Sequence, residues 1–329
     1  MILVTGGAGY IGSHTNKLLA KNGYETLVYD NFICGHPEFV QWGQLVQADL
    51  ADEAALEKVF TEYSIDAVIH FAAFAYVGES VENPSKYYQG NVANTLRLLD
   101  AMRRHGCRRI VFSSSCTTYG IPASNPIVES MPQAPISPYG WSKLMIEKIF
   151  ADYARAYGLQ YVVLRYFNAA GADPECEIGE WHVPETHLIP LVLEACAGDR
   201  ESIKIFGDDY DTPDGTCIRD YIHVSDLAKA HLLALRHLEQ GGQNECLNLG
   251  NQQGTSVLEI VNTAKAVTGR DCRVETVGRR PGDPAELVGG NAKVRHVLGW
   301  EPDYPDIHTI MSHAWEWYVR SKEMRDAAR

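Results

Sequence analysis

The sequence predicts an α/β protein in which a doubly wound parallel sheet carries a smaller, loop-rich α/β lobe. Short apolar runs alternate with helix-like runs through the first half of the chain, as in a sheet with helices on both faces. The chain opens with Val4-Thr5-Gly6-Gly7-Ala8-Gly9-Tyr10-Ile11-Gly12-Ser13-His14, set between one such strand and the first helix. After Asn168 the texture changes to a stretch rich in Gly, Pro and Asp over 168–220.

Strands are expected over 1–5, 25–29, 44–47, 66–71, 109–114 and 160–165, and helices over 11–21, 52–63, 85–105 and 142–157. The first helix ends at Asn22-Gly23, and the next apolar run delivers Asp30, eighteen residues beyond Gly12. Strand, glycine turn, helix, strand and acid, in that order, form the Rossmann-type arrangement for a dinucleotide. Glycines permit the tight turn and close approach to a pyrophosphate, and the helix N-terminus offers it unpaired N–H groups and a positive dipole end. A carboxylate at Asp30 binds ribose hydroxyls and repels a 2′-phosphate, which favours NAD over NADP.

In the 85–105 segment Val92, Leu96, Leu99 and Met102 fall on one stripe, so a single amphipathic helix is expected. Beyond Asn168 a short helix near 187–197 and a strand near 202–206 suggest a lobe laid over the strand C-termini. The expected division is 1–167 for a dinucleotide-binding domain and 168–329 for a mainly substrate-binding lobe, with some segments returning to the first domain.

Bulk properties narrow the function. The 329 residues are enough for a large core, and a net charge of −13 argues against a broad nucleic-acid surface. No stretch approaches 18 uninterrupted apolar residues and the first strand begins at Ile2, so no membrane span or signal peptide is expected and the protein is placed in the cytoplasm. Eight cysteines without a Cys-x-x-Cys pair read as reduced thiols, and no metal site is expected.

Tyr139-Gly140-Trp141-Ser142-Lys143 puts a phenol and an ammonium four residues apart at a helix start, where both project from one face. Tyrosine ionises near pH 10; a cation held close favours the phenolate, and bringing the value to near 7 would require ~4 kcal/mol of differential stabilisation. Such a phenolate takes a proton from a sugar hydroxyl while hydride leaves for nicotinamide. The run Val111-Phe112-Ser113-Ser114-Ser115-Cys116-Thr117-Thr118-Tyr119-Gly120 sets hydroxyls at a strand C-terminus, and Ser115 is placed to donate to the substrate oxygen.

These residues resemble the extended form of the short-chain dehydrogenase/reductase superfamily, and within it the UDP-sugar 4-epimerases. The likeness runs from residue 2 to about 300. It is carried by the glycine turn with Val77-Gly-Glu-Ser80, Leu164-Arg-Tyr-Phe-Asn168, Asp214-Gly-Thr-Cys-Ile-Arg-Asp-Tyr-Ile-His-Val224 and Arg279-Arg-Pro-Gly-Asp283. The resemblance implies interconversion of UDP-glucose and UDP-galactose. Tyr139, helped by Ser115 and Lys143, deprotonates the C4 hydroxyl while hydride passes to retained NAD; the 4-keto sugar turns over and the hydride returns to its other face.

Carried over residue by residue, the likeness implies cofactor contacts from Gly6, Gly9, Tyr10, Ile11, Gly12, Asp30 and Asn31, with Asp49 and Leu50 at the adenine. Phe71, Ala72, Lys143 and Tyr166 would lie near the phosphates, nicotinamide and its ribose. Asn168, His187, Leu188, Phe206, Arg219, Arg280 and Asp283 would hold the nucleotide sugar, the two arginines as guanidinium clamps for a diphosphate. Leu287 would narrow the space around the C2 substituent.

The resemblance also implies a homodimer through helices at 85–105 and 142–157. Ala75 and Gly90 stand where a familiar bacterial form has lysine and asparagine, which removes two polar cofactor contacts. Cys116 and Thr117 stand where a dehydratase would carry Asp-Glu, so dehydration is disfavoured. A UDP-xylose/UDP-arabinose 4-epimerase shares the Phe74-Ala-Tyr76-Val77 and Ser113–Thr117 segments and is the alternative; a non-catalytic nucleotide sensor is a remote one.

Overall fold

The computed structural model describes residues 1–280 and 282–327. Seven parallel strands form the main sheet: β1 (Ile2–Thr5), β2 (Thr26–Asp30), β3 (Gln44–Gln47), β4 (Ala67–His70), β5 (Arg109–Ser115), β6 (Gln160–Tyr166) and a seventh, Glu245–Leu249. Their spatial order is β3-β2-β1-β4-β5-β6 followed by Glu245–Leu249. The order reverses between β1 and β4, and the carboxyl ends of those two strands open a crevice at the switch point. This is the Rossmann-type doubly wound sheet that the alternating sequence pattern predicts.

Parallel strands are covered on both faces and read as near-continuous apolar runs. Leu3, Val4, Leu27, Val28, Val68, Ile69 and Val162–Leu164 are accordingly fully buried. One face carries the helix Tyr10–Lys21 packed against the helix Val224–Glu239. The other carries Glu53–Glu62, Asn94–Arg104 and Pro138–Tyr157, whose Leu56, Leu98, Leu99, Met102, Ile146 and Phe150 share one core with the strands.

Local chemistry fixes the helix ends. Asp52 caps the helix Glu53–Glu62 by accepting from Ala55 N at 3.0 Å. Ser137 caps Pro138–Tyr157 by accepting from Gly140 N at 3.2 Å, with proline in the first turn and left-handed Gly158 at the end.

The second half of the chain builds a lobe at the strand C-termini and also returns to the main sheet through Glu245–Leu249. Its four-stranded sheet joins β7 (Asn168–Ala170), β9 (Ile218–His223), β11 (Gly254–Ser256) and β13 (Glu286–Leu287). In the same numbering β10 is Glu245–Leu249, and β8 (Ile203–Phe206) pairs in parallel with β12 (Val274–Val277). Helices Leu188–Ala197, Val257–Thr268 and Ile307–Ala327 enclose a third core. No helix among the described residues is long and apolar enough to cross a membrane.

The single helix expected over 85–105 is not what forms. Pro84–Tyr87 and Asn94–Arg104 are α-helical, and Tyr88–Ala93 between them is a π-helix. The widened turn changes which residues face inward: Leu98, Leu99 and Met102 are buried, but Val92 and Leu96 are only half-buried. Asn91 is turned fully inside instead, and its bonds explain the bulge. Its amide accepts from Phe74 N at 2.8 Å and donates to Phe74 O and Ser142 Oγ, both at 3.0 Å.

Candidate active site at the sheet switch point

The glycine turn sits where β1 leaves the sheet. Gly6 has φ +71°, and a Cβ there would lie 2.6 Å from Ala72 N, so the residue must be glycine both for conformation and for contact with the end of β4. A Cβ on Gly12 would meet the Gly6 carbonyl oxygen at 2.1 Å. The helix Tyr10–Lys21 begins at Gly9 with no side chain closing its first turn, which leaves that end to an anion. Gly12→Ala must therefore open the turn, and NAD affinity is expected to fall more than about tenfold, ~1.4 kcal/mol, measured by titration of the stripped protein.

Asp30 ends β2 with its carboxylate buried, accepting from Ala8 N at 3.0 Å and Phe32 N at 2.8 Å. Burial raises its pKa against the pull of those N–H groups. Asn31 donates to Asp49 at 2.7 Å, and Leu50 is buried beneath them. Phe71 and Ala72 both donate backbone N–H groups to Thr5 O and lie against the turn. Ile11 is half-buried in the core, and the Tyr10 hydroxyl donates to Gly171 O at 2.6 Å, so at Tyr10 the backbone rather than the phenol is left for a ligand. An anion-ready helix end beside a ribose-reading carboxylate fits the phosphates and adenosine of NAD.

Tyr139, Lys143, Ser115 and Tyr166 meet at the carboxyl ends of β5 and β6. Ser115 pairs in register with Tyr166, whose hydroxyl bonds Ser113 Oγ. Lys143 is buried and donates from Nζ to Ser113 O at 2.7 Å, with Nζ 5.8 Å from the centre of the Tyr139 ring. Burial pushes Lys143 down to about 7, with Glu147 acting in the opposite sense.

The expectation that Tyr139 is held near neutrality is not met in the protein alone. Burial, then Tyr166, pushes its pKa well above the ordinary value, and the hydrogen bond from Ser115 recovers only part. The reason is that an unpaired phenolate is costly in a dry site, and the lysine charge that would offset it is itself weakened by burial.

Behind these residues lies a buried network that sequence reading missed. Glu147 accepts from Arg165 Nε at 3.0 Å and NH2 at 2.7 Å and from Ser114 Oγ at 2.6 Å. Arg165 also donates to the Tyr119 hydroxyl at 2.8 Å, which in turn donates to Asn248 at 2.7 Å. Across the crevice His70 bridges Thr5 Oγ1 at 2.7 Å and Thr95 Oγ1 at 2.9 Å, and burial pushes its pKa down to about 3, leaving it neutral. Glu147 lies four residues after Lys143, a helix-face spacing that could have flagged it.

On the lobe side Arg219 donates to Asp283 at 2.5 Å and to Ile218 O at 2.7 Å. The Arg280 guanidinium stacks 3.8 Å from the Phe206 ring centre. Asn168 donates to Asp220 O at 2.9 Å, Leu188 is half-buried at its helix start, and Leu287 packs against the cluster of Tyr119, Ile127 and Phe167. His187 has its Nδ1 2.8 Å from Glu180 and 3.2 Å from Glu185. Burial opposes its charge, but the two carboxylates raise it to about 10, and Nε2 is the ring nitrogen not paired with them.

Of the two departures, Gly90 has a clear cause: a Cβ there would lie 2.5 Å from the Phe74 ring. An asparagine cannot fit without displacing that ring. Cys116 is pushed up to about 12 by burial, so it supplies no acid or base where a dehydratase would need one.

The profile of the NAD dependent epimerase/dehydratase family matches residues 2–250. The chain belongs to that family. It is 53% identical, over 96% of its length and 95% of the relative's, to the UDP-glucose 4-epimerase of Halalkalibacterium halodurans. The solved UDP-glucose 4-epimerase of Brucella ovis, in complex with NAD, superposes with a TM-score of 0.95 at 53% identity, covering 96% of this chain and 98% of that one. A UDP-glucose-4-epimerase from Stenotrophomonas maltophila with bound NAD and formylated UDP-arabinopyranose also gives 0.95, at 37% identity over 98% and 99% of the two chains.

Proposed function

We propose that this chain is a UDP-sugar 4-epimerase that interconverts UDP-glucose and UDP-galactose with retained NAD. The observation that carries this reading is the meeting of Tyr139, Ser115 and Lys143 at the strand ends beside a dinucleotide turn. When bound, NAD supplies a reversible hydride acceptor and a positive ring charge. Tyr139 takes the proton from the C4 hydroxyl and later returns it, and Ser115 hydrogen-bonds the same oxygen. Lys143 holds charge beneath the phenol from its seat on Ser113 O. Arg219 and Arg280 clamp the diphosphate while the sugar turns, so the same tyrosine serves both faces. Leu287, beside Phe167, limits the C2 substituent to a hydroxyl.

Incubation with UDP-galactose and no added cofactor is expected to yield UDP-glucose, read by chromatography of the products. Because a UDP-pentose derivative is seated in one solved relative, UDP-xylose is run in parallel. Conversion of UDP-xylose alone would move the assignment to pentoses, and inertness toward both, with NAD supplied, would overturn the epimerase reading.

The same reading includes a homodimer built on the helices around 84–104 and 138–157. Trp141 and Met145, four residues apart, are 43% and 40% exposed, and Val77 and Val81 on the adjoining helix are 45% and 63% exposed. That apolar row supports a bundle with a second copy. Light scattering behind size exclusion is expected to give twice the 36.6 kDa chain mass, and Trp141→Glu to shift it to the monomer.

A further inference from the structure

We propose that Glu180, His182, Glu185 and His187 form a binding site for a divalent transition metal, with Zn2+ the ion its donors suit best. All four side chains come from one eight-residue loop, and one donor atom from each lies within 4.8 Å of the others. His187 Nδ1 is 2.8 Å from Glu180 Oε1 and 3.2 Å from Glu185 Oε1. His182 Nδ1 is 3.3 Å from Glu180 Oε1 and 3.5 Å from Glu185 Oε2. A tetrahedral zinc with Zn–N and Zn–O bonds of about 2.0–2.2 Å sets its ligands about 3.3 Å apart. The four histidine–carboxylate separations bracket that edge length, with either oxygen of Glu185 at hand as a donor.

A second observation concerns the two innermost donors. Glu180 Oε1 and His182 Nδ1 are buried with neighbours at bonding distance, yet neither makes a hydrogen bond of acceptable direction. These ion pairs with poorly directed hydrogen bonds leave the two buried atoms only partly satisfied, and a bond from each to a metal would complete them. A cavity of about 50 Å³ lined by Gly171, Glu180, His182 and Glu185 adjoins them. Glu180 is 7% exposed and His187 50%, so the site is anchored on the inside and open to ion entry from the outside.

The neighbouring acidic group shows what a satisfied cluster looks like. Asp173, Glu175 and Glu177 close on Lys17 Nζ at 2.6, 2.9 and 2.7 Å, and the lysine takes the place of a cation. Among the described residues Glu180 and Glu185 pair with no lysine or arginine, only with the two histidines. A bound dication displaces the protons that the two carboxylates hold on the imidazoles, so that its charge is balanced by Glu180 and Glu185, and the mixed N/O donors suit Zn2+ over Mg2+ or Ca2+. Cysteine spacing, on which the expectation of no metal rested, is blind to such a set.

The surroundings hold the loop in place. Trp317 Nε1 donates to Glu180 O at 2.9 Å, His36 Nε2 meets Trp181 O at 2.8 Å, and the His182 ring stands edge-on to Tyr10 and Tyr76. A metal here pins this loop between the first turn of the cofactor helix and the helix that starts at Leu188.

The test uses full-length, NAD-loaded protein freed of metal by a chelator and titrated with Zn2+ against a chromophoric competitor. One Zn2+ per chain is expected, with a Kd below about 1 μM, together with a rise in Tm. Co2+ in its place is expected to give the intense visible bands of tetrahedral coordination. His187→Asn, at the half-exposed ligand, is expected to weaken binding more than about 100-fold, beyond the loss from an outer-sphere partner, and to abolish the Co2+ bands and the Tm shift. His182→Gln should do the same if it folds by circular dichroism. Uptake well below one equivalent, or uptake unchanged in His187→Asn, would overturn the proposal.

Discussion

Tyr139→Phe is expected to cut kcat for UDP-galactose by roughly 10²–10⁴-fold while leaving NAD bound, because only the proton-transferring oxygen is removed. The phenyl ring keeps its edge-on contact with Tyr87, and the helix cap at Ser137 is untouched. The measurement pairs steady-state turnover with assay of the nucleotide released on denaturation. Full activity in this variant would sink the proposed role. Loss of NAD along with activity would instead show that the hydroxyl is part of the cofactor seat. KM is expected to change little, since the diphosphate clamp lies elsewhere.

The second large effect is on stability. Arg165→Met leaves the Glu147 carboxylate buried with Ser114 and Gln133 as its remaining donors, and is expected to lower unfolding free energy by about 3–5 kcal/mol. Both partners are nearly inaccessible, with side chains 6% and 2% exposed, so solvent cannot take over. The double replacement Arg165→Met/Glu147→Leu is expected to recover much of the loss, because two apolar groups no longer strand a charge. Denaturant unfolding of the two variants checks both claims; equal losses would mean that the pair is not coupled. Activity should fall in the single variant as well, since Ser114 and Lys143 both sense Glu147.

Period and punctuation made the main sheet legible. Buried parallel strands need apolar runs, and the glycine turn leaves a fixed spacing to Asp30, so β1 to β6 and their helices could be read locally. The π-turn at Tyr88–Ala93 could not, because the extra residue answers to Asn91 finding Phe74 and Ser142, which are distant in sequence. The Glu147–Arg165–Tyr119–Asn248 chain was hidden for the same reason: it joins four elements through partners up to 129 residues apart.

Tyr139 and Lys143 were visible as a spacing, but their acidity was not. Spacing says that two groups share a face, whereas pKa depends on how much water the finished fold excludes. His187 was visible only as a nucleotide-sugar residue, yet Glu180, His182 and Glu185 gain meaning only once the loop folds back on itself.

The seventh strand changes what a cut in this chain would do. Residues 1–167 alone would expose the free edge of β6, normally paired with Glu245–Leu249, and the face of the helix Tyr10–Lys21 that Val224–Glu239 covers. An unpaired parallel edge beside a bared apolar surface invites association with other chains. The two halves are therefore interlaced rather than appended, so neither can be exchanged as a module. Grafting a new sugar specificity would have to proceed by replacing loops within this shared body.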